Sequence, residues 1–287
     1  MVKPGKRVGY VLYLLAAVGL CLYILFPGEL FRKHITARSA HLLAPYRVEV
    51  AQVKPAFPPG LQLQGVTLRH NQRELLQIAS ARVSPVYTAL FSPGHTFEAR
   101  AAHWGGNLHS RLNVAVIQDQ AIITASTTLT AVALEAIPEL ARISGRTLTG
   151  RLSGNVLWES SQPTEAVTAD LTVFDGQVGL LIPWIDIKRV DFQRIDTALA
   201  LNRQHLLVKR CVFVGEQISG DLSGSIQLRT PLGESLLTLT GTIRLHPDFF
   251  HQLQSKLPEG LVSAENQTGG YRVRFGGTLD KPMFSLK

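Results

Sequence analysis

Ser153, Ser223 and Ser225 each lie next to a glycine, a setting in which serine becomes a nucleophile when it occupies the centre of GxSxG at a strand-to-helix elbow. Here the flanking stretches read LTGRLSGNVLW and ISGDLSGSIQL, with no GxSxG and no helix behind them. Metal chemistry would need imidazole, thiolate or carboxylate groups at ligand spacing, and the nine histidines form neither HExxH nor HxxxH. His103 and His109 read as surface or edge residues. Asp186, Asp191 and Asp196 recur at five-residue intervals, which matches no calcium loop and reads as a solvated face. The Gly-Gly pairs at 105–106, 269–270 and 276–277 precede no phosphate-binding helix. Asn266-Gln267-Thr268 is an acceptor only in a glycosylating secretory pathway. No acid–base or nucleophile constellation emerges, so the expectation is a protein that is not an enzyme, with no catalytic residue, cofactor or metal.

The elements that carry these residues explain them better. In Ile218–Leu228 the apolar or small residues Ile218, Gly220, Leu222, Gly224, Ile226 and Leu228 alternate with Ser219, Asp221, Ser223, Ser225 and Gln227. Side chains on a strand change face at every residue, so this is a half-buried antiparallel strand and its serines belong to the polar face. The same alternation places Leu148, Leu152, Val156 and Trp158 on one face of Leu148–Trp158, and Leu237, Leu239 and Ile243 on one face of Leu236–Leu245. Val273 and Phe275 continue it near the end of the chain. Glycines fall on the apolar face each time, which implies close approach of another backbone, a bend, or a ligand lying against the sheet.

Other strands are expected from Arg47 onward. Pro58-Pro59-Gly60 turns into Leu61–Leu68, where the apolar positions shift after Gly65 in the manner of a bulge. Ala166–Phe174, Gln177–Ile182, Ile187–Phe192, Thr197–Leu201 and His205–Val214 read as a meander, with turns at Asp175-Gly176 and Asn202-Arg203. Short helices are expected over Ser84–Ser92, from Pro138 to before Gly145, and over Pro247–Leu257. The fold class is therefore mainly β: a large curved antiparallel sheet with two or three short helices, too few to cover its apolar face. Trp104, Trp158 and Trp184 read as packing residues.

At 287 residues and 45% hydrophobic the chain has ample core material for one large or two smaller β domains. Val8–Phe26 is an uninterrupted run of 19 uncharged residues leading into Pro27-Gly28-Glu29, long enough for a transmembrane helix and without the small residues of a cleavage site. Cys21 lies inside this run, so a disulfide with Cys211, the other cysteine, is not expected. Residues 1–50 hold seven Lys/Arg against two Glu, and the remainder 22 against 19 Asp/Glu. The surplus thus lies beside the apolar run, where it can meet anionic headgroups, and no nucleic-acid module or partner is indicated.

Against this background, LTGRLSGNVLW and ISGDLSGSIQL resemble the repeating strands of the AsmA-like superfamily. PPGLQLQGVTL at Pro58–Leu68, PLGESLLTLTGTIRL at Pro231–Leu245 and GTLDKPMFSL at Gly277–Leu286 are similar to the type II secretion system protein N (GspN) family. The resemblance implies a Gram-negative inner-membrane protein: residues 1–7 a cytoplasmic tail, 8–26 a single-pass anchor, 27–46 a juxtamembrane helix or linker, and 47–287 a periplasmic AsmA-like β domain. It implies a non-enzymatic accessory of type II secretion acting by protein contacts, with other secretion subunits and the membrane as partners. The alternative it carries is a lipid-transfer protein that holds phospholipid acyl chains on the apolar sheet face. In that reading the lipid-facing residues are Leu148, Leu152, Val156, Ile218, Leu222, Ile226, Leu237, Leu239, Ile243, Val273 and Phe275. Alternation by itself leaves open whether the sheet is open or folded over on itself, since a face filled by side chains and one filled by ligand read alike.

Overall fold

Alternating β-branched and polar residues over most of the chain leave little that would form helix, and strands dominate accordingly. The structure, a computed structural model, describes residues 10–286 apart from 11–12, 15–16, 20, 22, 43–45, 58–59, 71–72, 90–93, 118–119, 138–139, 141–147, 162–166, 180–188, 203 and 254–269. Helix α1 (Gly28–Leu42) precedes β1 (Tyr46–Ala56), β2 (Gly60–His70), β3 (Arg73–Pro85), β4 (His95–His103), β5 (Gly106–Ile117) and β6 (Gln120–Ala133). Then come β7 (Leu148–Glu159), β8 (Val167–Gly179), β9 (Arg189–Asn202), β10 (His205–Gly215), β11 (Ile218–Gln227) and β12 (Leu236–Leu245). Helix α2 (Pro247–Leu253), β13 (Tyr271–Gly277) and β14 (Pro282–Leu286) complete the order. The 14 strands follow one another in the sheet in chain order, β1 to β14, and the registered pairs are antiparallel. That order is linear and open.

The chain divides into two compact units, one of residues 1–87 and 97–101, the other of residues 88–96 and 102–287. In the first, α1 runs beside β1. Ser39 Oγ lies 3.0 Å from the Thr36 carbonyl and 3.4 Å from that of Val48, and a Cβ on Gly28 would stand 2.4 Å from the Val53 carbonyl oxygen. A helix laid along a terminal strand shields backbone groups that would otherwise pair with other chains. Val50 is paired with Val66, and Val66 with Ile78; Val53 is paired with Leu63, and Leu63 with Ala81. The apolar positions of all three strands therefore change face at one level, beside Gly65 at φ +60°. The partners of β1 and β2 step evenly past it, so the bulge expected at Gly65 is instead a crossover shared by three strands.

In the second unit, β5–β14 form the sheet and α2 buries Phe249. The turn expected at Asp175-Gly176 is not a turn. β8 runs through it, with two residues opposing Gly150 of β7 and Asp175 at φ +51°, which is a bulge inside one long strand. Likewise β9 is a single strand where two were expected. Ala131–Ala133 end β6, followed by one 3-10 turn over Leu134–Ala136; the helix expected from Pro138 lies almost wholly outside the described residues. Of Ser84–Ser92, Ser84 and Pro85 end β3, Tyr87–Ala89 form a 3-10 turn, and 90–92 lie outside the described residues. Among the described residues no helix is long and apolar enough to cross a membrane, and much of the Val8–Phe26 run lies outside them.

Candidate functional site

Directly opposed residues on neighbouring strands share a face, so the register decides which side chains form one surface. In the second unit one row runs Leu112, Ala125, Trp158, Val167, Leu201, Leu206, Ile226, Leu237, each paired to the next from β5 to β12. A parallel row runs Val132, Leu152, Val173, Ile195, Phe213, Gly220, Ile243, Tyr271. Val156, Leu239 and Phe275 lie in a third row, and Leu222 and Val273 in a fourth, with Cys211 between Thr197 and Leu222. Leu148 opposite Val178 and Ile218 opposite Leu245 extend the face at its margin. All eleven residues read from the sequence thus lie on one face of β7, β11, β12 and β13.

The sequence reading missed the middle of that face. β8, β9 and β10 contribute Val173, Ile195, Val208 and Phe213, and in each strand the alternation slips by one residue. In β10 the slip from Val208 to Cys211 coincides with a register shift, and the slip in β9 does so between Val214 and Gly215 of its partner. Each bulge absorbs one residue and returns the apolar set to the same face. The signal in the sequence was the one-residue slip, which imitates a turn.

Of the eleven residues, Val273 is buried and the other ten are half-buried; Val190, Val208 and Phe213 on the same face are buried. The opposite face holds Thr128 bonded to Asn155 at 2.9 Å, Thr172 bonded to Asp196 at 2.8 Å, and the Arg194–Asp196 ion pair at 2.7 Å. The hydrogen bond from Arg194, then that from Thr172, holds the Asp196 carboxyl below the usual range. Asp191 is likewise paired, with Arg189 at 3.1 Å, while Asp186 lies outside the described residues. Burial pushes the Cys211 thiol up, against a weak contact from Thr197 Oγ1 at 3.8 Å, so the apolar face keeps it neutral. His103, whose pKa burial lowers, lies against Trp104 with the rings 4.4 Å apart and tilted by 43°; Trp184 lies outside the described residues.

The glycines of this face serve the backbone. A Cβ on Gly241 would sit 1.8 Å from the Asp221 carbonyl oxygen, on Gly220 2.2 Å from that of Thr242, and on Gly224, at φ +142°, 2.2 Å from that of Thr238. Each faces a large residue across the ladder: Gly241 faces Leu222, Gly220 faces Ile243 and Gly224 faces Leu239. On its other side Gly220 faces Phe213, whose Cζ would be 2.8 Å from an added Cβ, so the ring occupies the glycine's vacancy. Of the alternatives the sequence left open, close approach of a neighbouring strand is the one observed.

At about 4.8 Å between strands and about 6.8 Å between same-face residues, the rows cover roughly 40 Å by 25 Å. Their residues are half-buried or buried, so the part left open amounts to a few hundred Å², the size of apolar patch that often marks a binding surface on a monomer. Among the described residues no group of His, Cys, Asp and Glu is arranged to hold a metal ion. Compared with known proteins, the chain matches no family model, no curated protein and no solved structure.

Proposed function

We propose that this chain is a non-enzymatic, single-pass inner-membrane protein whose periplasmic sheet holds phospholipid acyl chains on the apolar face of β5–β14. The observation that carries the reading is that register-continuous face, half-buried at ten of the eleven residues read from the sequence. A fully buried Leu or Ile is worth about 1.5–3 kcal/mol, so each half-buried one retains roughly half a kcal/mol for an apolar ligand. Over the face that is on the order of 5 kcal/mol before the cost of ordering the chains. The anchor rests on the 19 uncharged residues of Val8–Phe26; Tyr10, Tyr13, Leu14, Val18, Tyr23 and Ile24 of that run are helical and exposed. The N-terminus is assigned to the cytoplasm.

A photo-cross-linking amino acid at Leu222 or Leu239 in the full chain, with Ser223 and Thr240 as opposite-face controls, tests the reading in cells. Adducts of phospholipid mass at Leu222 and Leu239 alone support it. No lipid adduct at either position overturns it.

The second reading is an accessory of type II secretion that works by protein contacts. It is favoured by the outer edge of β14, which pairs with no described strand, whereas β1 has α1 beside it. Strand addition to such an edge supplies backbone hydrogen bonds to a partner. Adducts to secretion subunits from Met283 or Ser285 would establish that role.

A further inference from the structure

The sequence of α1 and its seat beside β1 leave one arc of the helix free. At about 100° per residue, Gly28 and Ser39, which approach Val53 and Val48, lie near the middle of one side together with Ile35 and Leu42. Lys33, His34, Ala37, Arg38 and Ala40 fall on the other side within roughly 160°. Lys33, His34, Ala37 and Arg38 are exposed, and His34 and Arg38 are neighbours at i, i+4. His34, Ala37, Arg38 and Ala40 line an open depression of about 460 Å³, two small alanines beside an imidazole and a guanidinium. The helix's one carboxylate, Glu29, is taken by Arg32 at 2.9 Å. On the same arc, one turn nearer the apolar run, Leu30 is 66% exposed.

We propose that this arc is a headgroup site for an anionic phospholipid, with Arg38 and Lys33 facing the phosphate, His34 beside it, the small Ala37 and Ala40 giving it room, and Leu30 set into the acyl boundary. The occupant follows from position: α1 starts two residues after the apolar run, and an apolar residue leading into cations is the order met on passing from acyl chains to headgroups. The proposal rests on the anchor assigned above and concerns the first unit alone.

The test is native mass spectrometry of the full chain released from nanodiscs of equal phosphatidylglycerol and phosphatidylcholine. The wild type is expected to retain phosphatidylglycerol preferentially. Lys33→Gln/Arg38→Gln should lower that preference about tenfold, and Ala37→Glu, which sets a carboxylate in the depression at an exposed position, should abolish it. Equal retention of both lipids by an inserted wild type, or an unchanged preference in both variants, overturns the site. Erasure of the preference by millimolar inorganic phosphate would assign the arc to free phosphate and overturn the lipid assignment. Failure of the anchor would look different: the full chain would be recovered without detergent in the soluble fraction.

Discussion

Replacing Gly241 by alanine tests why glycines line the apolar face. The added Cβ would stand 1.8 Å from the Asp221 carbonyl oxygen and 2.9 Å from Leu222 Cα, both backbone atoms of β11 that no rotamer change can move. Reaching a tolerable contact above 3.0 Å requires β11 and β12 to part by more than an ångström. Forced overpacking costs about 1–3 kcal/mol, and each ladder bond stretched beyond use about 1 kcal/mol more, for roughly 2–4 kcal/mol in all. For a unit of this size that is a fall of about 5–15 °C in melting temperature. Gly276→Ala is the matched control, because its Cβ would meet nothing nearer than the Leu237 carbonyl oxygen at 4.0 Å, and its melting should move by no more than about 2 °C. Thermal unfolding of the full chain followed by circular dichroism reads both. If Gly241→Ala melts with the wild type, the close-approach argument is wrong. If it also loses the lipid adduct at Leu222, the glycines are there to clear space for ligand.

The same packing fixes three further outcomes. Gly28→Ala would press a methyl against the Val53 carbonyl and lift the start of α1 from β1, so limited trypsin digestion should cut at Arg32 and Lys33 sooner than in the wild type; unchanged cleavage would refute the seating. Ala131 is held at φ +53° in the bulge of β6, a conformation that costs an L-residue about 1 kcal/mol, so Ala131→Gly should raise the melting temperature by a few degrees or leave it level. Burial raises the Cys211 pKa, so fewer thiolates are present at a given pH than in the unfolded chain. Its alkylation should be slow at pH 8, speed up only at higher pH, and become rapid in denaturant, as mass spectrometry of the labelled peptide would report.

Much of the fold was legible because a strand's period is two and cannot be mistaken over ten residues. β7, β11 and β12 begin and end within a residue of the alternating stretches, and their apolar residues share the face assigned to them. Pro247 opens α2 where helical spacing begins. The sheet's centre was harder to read. Asp175-Gly176 carries the residues of a hairpin turn and also those of a bulge, and both relieve the same positive φ; only the partner strand, supplying Gly150 opposite the pair, separates the two. At Gly65 the shift in apolar positions was visible, but its meaning depended on β1 and β3 shifting at the same level.

What the amino-acid sequence determined by itself is therefore local: the strands with unbroken alternation, the polar and apolar sets within each, and the lack of a recognisable catalytic motif, all consequences of side chains alternating across a backbone of fixed pleat. Only the tertiary structure decided that the eleven apolar residues share one face with the middle strands, and that the strand order is linear rather than closed. The reason is physical: alternation constrains a strand relative to itself, whereas a common face and an open edge depend on register and pairing between strands, which bulges at Val208–Cys211 and Asp175-Gly176 reset one residue at a time.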